Sequence, residues 1–265
     1  MHIHQRNNVT VLGSGRPIVF AHGFGCDQTM WRFLAPEFAK THQVILYDLV
    51  GSGASDLSAY DRDKYGSLHG HADDLAEVIA ATTKEPAIFV GHSVSAMIGV
   101  LASNKAPSLF AGQLMVGPSA CYINDEGYHG GFARSDIDDL LDTMDGNYLG
   151  WSSAMAPKIM GAPDDPALGQ ELTNSFCRTD PEIAKHFARV TFLSDHRADL
   201  AHSRVPTLIL QCSDDIIAPL SVGEFIQRQI PGSEMVIIDN NGHCPHLSAP
   251  LASVAAMRQF IAAKL

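Results

Sequence analysis

Residues 90–96 read VGHSVSA, and the chain changes character on either side of them. An unbroken apolar stretch, AIFV (87–90), leads in, and AMIGVLAS (96–103) leads out with the look of a helix. A buried strand, a tight turn and a helix are therefore expected in succession. A serine on such a turn can be a nucleophile presented above a sheet, the G-x-S-x-G arrangement. Here Ser95 stands where the last glycine is usual. That position must be small so that the helix packs close to the sheet, and serine is only slightly larger than glycine. Gly91 meets the other demand, a close approach of backbone to backbone. Read alone, the segment also fits a serine that merely caps a helix.

Other runs of the same strand type are PIVFAHG (17–23), HQVILYD (42–48), GQLMVGP (112–118), PTLILQCSDD (206–215) and EMVIIDNNGH (234–243). Nearly continuous apolar strands are those of a parallel sheet covered on both faces. Helical spacing separates them: Leu75, Val78 and Ile79 in HADDLAEVIAATT (71–83), and Val254, Met257, Phe260 and Ile261 in the C-terminal segment. The alternation predicts an α/β fold with a doubly wound, mostly parallel sheet. Between about 119 and 200 no strand is evident, and helical segments such as SDIDDLLDTMDGNYLGW (135–151) and PEIAKHFARVTFLS (181–194) take over. The chain thus divides into a core of residues 1–118 and 201–265 and a helical cap of residues 119–200, set over the strand ends.

The 265 residues are 46% hydrophobic and 18% charged, enough for a sizeable core. Lys+Arg 18 against Asp+Glu 29 gives a net charge of -11, and no cationic run is present. Nucleic acid and anionic membrane surfaces are therefore excluded as partners, since both require clustered cations. The N-terminus has no apolar core of signal length, and no run approaches the roughly 18 residues of a membrane span. Five scattered cysteines without a C-x-x-C pair suit reduced thiols and a cytoplasmic location.

A serine hydroxyl needs a base, and the base needs an orienting acid. In elbow-type hydrolases the chain order is serine, then Asp or Glu, then histidine. Asp214 and Asp215 end one later strand; His243, in NNGHCPH, follows the next. His246 competes with His243, but three residues farther on it borders a helix start. HGFG (22–25) follows the first strong strand, and the backbone amides of Phe24 and Val94 are the expected donors to a developing oxyanion. Its bland reading is a glycine-rich turn. GSGRP and GSGAS fit no phosphate loop, and HCPH and HGH lack a second pair at zinc-site spacing, so neither cofactor nor metal is expected.

HGFGCDQTMW (22–31), YDLVGSGASD (47–56), GHSVSAMIGVLAS (91–103), GPSACYINDEGYHGGF (117–132), NYLGW (147–151), LQCSDDIIAP (210–219) and GHCPHLSAP (242–250) resemble the α/β-hydrolase subfamily of the bacterial stress regulator RsbQ. The plant strigolactone and karrikin receptors belong to the same group. The resemblance spans about residues 4 to 262. It implies an α/β-hydrolase fold with a four-helix cap inserted after the sixth strand, over a nearly closed apolar cavity. It implies Ser93 as nucleophile, His243 as base and Asp215, by its spacing to the following proline, as orienting acid. Phe24 and Val94 would form the oxyanion hole, and Phe132, Tyr148, Trp151, Phe187, Ile217 and Cys244 the cavity wall.

The expected activity is cofactor-free hydrolysis of a small apolar ester or lactone. The rival expectation is a slow ligand sensor whose output is contact with a sensory-domain phosphatase or another regulator.

Overall fold

The computed structural model describes residues 2–265. Seven strands form one sheet: β1 (Thr10–Leu12), β2 (Arg16–Ala21), β3 (His42–Tyr47), β4 (Ala87–His92), β5 (Phe110–Val116), β6 (Thr207–Asp214) and β7 (Glu234–Asn241). Their spatial order is β1-β3-β2-β4-β5-β6-β7. Only β1 runs antiparallel, on β3; every other pairing is parallel. The helices of ten residues or more are α1 (Leu68–Thr82), α2 (Val94–Lys105), α3 (Arg134–Met160), α4 (Pro166–Arg178), α5 (Pro181–Phe192), α6 (Leu220–Gln229) and α7 (Pro250–Lys264).

Successive strand residues face opposite sides, and each side has its own helical cover. Val19, Ile45, Tyr47 and Phe89 pack with α1, α2 and α6; Ile18, Phe20, Val44, Ile88 and Val90 pack with Trp31, Phe38 and α7. This double burial is why the strands read as apolar runs. The C-terminal strand β7 lies at the sheet edge, where Ile237 is left exposed.

Helices α3, α4 and α5 occupy the stretch between β5 and β6 and share a third apolar cluster above the sheet. Asn147 leaves the helical region and breaks α3 into two halves, and its side-chain oxygen accepts the amide of Gly150 at 2.9 Å to cap the second half. Four helical segments result. They follow the fifth strand of the chain, not the sixth, because the N-terminal segment contributes a single strand. Ile3–Arg6 winds into a helical turn instead.

Candidate active site

Three strand ends and one turn converge beneath the helical segments. Ser93 follows β4 at φ 56° and ψ -123°, a conformation that strains any residue with a Cβ. The strain is imposed by the immediate passage from strand to α2. It points the hydroxyl out of the turn, free of a capping role. A Cβ on Gly91 would come 2.6 Å from the carbonyl oxygen of Ser95, so only glycine fits under the turn.

His243 Nε2 lies 2.8 Å from Ser93 Oγ, and His243 Nδ1 lies 2.7 Å from Asp215 Oδ2. A carboxylate only accepts, so Nδ1 carries the proton and Nε2 is left to accept from the serine hydroxyl. All three side chains are buried. Burial pushes the Asp215 carboxyl up, but the His243 ring and the amides of Ile217 and Ala218 outweigh it and hold Asp215 below its ordinary value. Asp214 is exposed, and its carbonyl accepts the amide of Gly242 at 2.7 Å. His246 packs on Trp31, with ring centroids 4.7 Å apart, and stays in the core.

The amides of Phe24 and Val94 donate to no acceptor among the described residues. They flank Ser93 from two different loops, as the donors of an oxyanion site would. The ring of Phe24 reaches up into the helical segments, within 6.3 Å of Trp151, 5.8 Å of Phe176, 5.9 Å of Phe187 and 6.0 Å of Phe192 between centroids.

A cavity of about 30 Å³ opens on Ser93 and His243. Trp151, Ile217 and Cys244 line it, as the resemblance implied. Phe132, Tyr148 and Phe187 do not. Tyr148 stands behind Trp151 and donates its hydroxyl to the Phe176 carbonyl at 2.9 Å. Phe187 is stacked against Phe24 and beside His71, and half-buried Phe132 bridges to Ile123 at the rim of the cluster. Cys26, Tyr122, Ile159, Leu172, Phe176, Thr191 and Phe192 take their places in the wall. Leu172 and Phe176 were readable as an i, i+4 apolar pair; Cys26 and Ile159 carried no sequence signal.

His243 is anchored to the helical segments. The amide of His243 donates to the Ile159 carbonyl at 2.8 Å, near the end of α3.

A model of the alpha/beta hydrolase family matches residues 18–257. The chain belongs to the alpha/beta hydrolase family. It is 38% identical over 256 residues to a strigolactone esterase of Arabidopsis thaliana, covering 96% of this chain and 94% of the relative. It is 37% identical over 250 residues to a karrikin insensitive 2 receptor of Petunia hybrida, covering 94% and 93%. Among solved structures it resembles a hydrolase from Oleispira antarctica with a TM-score of 0.95 at 41% identity, covering 98% of this chain and 96% of that one. No helix among the described residues is long and apolar enough to cross a membrane.

Proposed function

We propose that this hydrolase cleaves a small apolar ester or lactone through Ser93, His243 and Asp215. The observation that carries the reading is the unbroken chain of hydrogen bonds from Ser93 Oγ through both nitrogens of His243 to Asp215 Oδ2, ending on an apolar cavity. Ser93 Oγ attacks the carbonyl carbon as His243 Nε2 takes its proton. The carbonyl oxygen, now negative, receives the amides of Phe24 and Val94. His243 returns the proton to the leaving alkoxide, then deprotonates a water that splits the acyl-enzyme and frees Ser93. Asp215 holds the tautomer and stabilises the imidazolium in both halves. General base and oxyanion donors each contribute on the order of 10²–10³-fold.

Trp151, Leu172, Phe176, Phe192 and Ile217 in the wall support an apolar substrate. At about 30 Å³ the cavity has room for one or two waters, far short of the roughly 300 Å³ at which ligand pockets begin. Residues 119–200 therefore act as a cap that moves outward to admit substrate. That requirement, and relatives named as receptors, support a second reading in which slow turnover or ligand binding alters the cap. The output is then contact with a regulator such as a sensory-domain phosphatase.

Labelling by a fluorophosphonate, with a panel of p-nitrophenyl esters and a butenolide probe, tests the chemistry. Ser93→Ala is expected to abolish labelling and turnover with the fold intact; labelling that survives moves the nucleophile elsewhere. Rapid turnover of several esters favours the enzyme, and near-single turnover with ligand-dependent partner binding favours the sensor.

A further inference from the structure

We propose that His92, Cys244 and His246 form a buried binding site for a soft monovalent cation, Cu⁺, directly behind His243, and that filling it stops hydrolysis. One donor atom from each of the three lies within 4.8 Å of the others. All three residues are buried, His246 completely. His92 Nδ1 and both ring nitrogens of His246 have no hydrogen-bond partner. Buried polar nitrogens are ordinarily paired, and three orphans beside one thiol make a donor set without an occupant.

The chemistry of the set selects the cation. Burial favours the neutral form of both imidazoles and equally of the Cys244 thiol, so the bound cation must itself displace the thiol proton. Neutral imidazole and thiolate are soft or borderline donors, suited to Cu⁺ and Zn²⁺. On binding, the Cys244 S–H bond breaks, its proton leaves to solvent and an S–Cu bond forms, with no change of oxidation state. Thiolate plus a monovalent cation is neutral, whereas a divalent cation leaves a net positive charge in surroundings that cannot solvate it. His92 and Cys244 both border the cavity, which supplies the route inward.

The consequence for catalysis is spatial. The His92 ring lies 4.4 Å from that of His246 and 5.0 Å from that of His243, and His92 Nε2 donates to the His243 carbonyl at 2.8 Å. The filled site is neutral, so its effect is mechanical: the ion draws His92 and Cys244 together and pulls on the loop that carries His243. The inhibition rests on the proposed role of His243; the binding does not.

The test is anaerobic titration of the full chain against the coloured Cu⁺–bicinchoninate complex, alongside p-nitrophenyl ester hydrolysis. The wild-type chain is expected to withdraw one equivalent of Cu⁺, with hydrolysis falling at least tenfold as it does so and recovering in excess bicinchoninate. Cys244→Ala and His246→Gln should withdraw none, and Cys177→Ser should withdraw the full equivalent; thermal melts identify any variant that has not folded, and Cys244→Ala alone then decides. No withdrawal by the wild-type chain, or withdrawal that persists in Cys244→Ala, overturns the site. Stoichiometric withdrawal with an unchanged rate overturns the inhibition. A wild-type chain with no hydrolysis counts against the proposed function, and the titration still decides whether the site exists.

Discussion

Ser95 donates its hydroxyl to the main-chain carbonyl of His22 at 2.5 Å, tying the first turn of α2 to the loop that leaves β2. The bond joins the two segments that carry the Val94 and Phe24 amides. Serine here is therefore more than a tolerated replacement for glycine: its hydroxyl ties the two segments together, a bond glycine could not make.

Ser95→Ala removes that hydroxyl and leaves a buried carbonyl unpaired. The expected cost is about 1–3 kcal/mol of stability, read as a lower midpoint in urea. The separation of the two amides is no longer fixed, so kcat for p-nitrophenyl acetate should fall about tenfold with KM little changed, which corresponds to roughly 1.4 kcal/mol of lost transition-state stabilisation. An unchanged kcat would reduce Ser95 to a packing role.

Asp215→Asn keeps the shape of the side chain and removes its charge. An amide can present a donor to Nδ1 and so favour the wrong tautomer of His243, and kcat is expected to drop by about 10⁴. Asp214→Asn should leave kcat within about twofold, since Asp214 is exposed and the ring is already held by its neighbour. Steady-state rates of the two variants, compared side by side, distinguish the neighbours.

Acid should destabilise this fold well above the carboxylate range. Burial holds His71 and His92 down to about 3, and His246 is also held well below 6.5. Between pH 6.5 and about 3 the unfolded chain binds protons at these rings and the native chain does not, so the unfolding free energy falls as pH falls. Each ring contributes up to about 1.4 kcal/mol per pH unit. Asp215 adds its own loss only below about pH 5, as protonation removes the stability its depressed value provides. Urea midpoints at about pH 7, 6 and 5 should decline steadily, with a shallower slope in His71→Gln. A flat profile over that window would mean these rings are protonated in the native state.

The positions of Ser93, Asp215 and His243 were legible because each follows a strand whose burial on both faces makes it an unbroken apolar run. The cavity wall was less so. Aromatics in the insertion announce burial, but burial against a neighbouring ring and burial against empty space have the same composition. Phe187 and Tyr148 went to the first fate and Phe192 to the second. The short strand Thr10–Leu12 was not legible because it is only three residues long and lies exposed at a sheet edge, even though Val11 and Leu12 are apolar. The His92, Cys244 and His246 group was invisible to spacing, since His92 comes from the end of β4, 151 residues before His243.

The anchoring of His243 to α3 leads to the last prediction. Gly242 has φ +88°, and a Cβ there would lie 2.0 Å from the carbonyl oxygen of Met160. That contact is with backbone, so the loop and the helix end must separate to admit even a methyl group. Separation breaks the bond from the His243 amide to the Ile159 carbonyl and carries the imidazole away from Ser93. Gly242→Ala should therefore lose phosphonate labelling by at least about 10²-fold, because labelling needs the base as well as the nucleophile. Gly127→Ala is the matched control: φ is +71° and nothing lies within 4 Å of the added methyl. It should lose about 1–2 kcal/mol of stability from left-handed backbone alone and label at the wild-type rate. Equal labelling by the two variants would show that the imidazole keeps its place without the helix behind it.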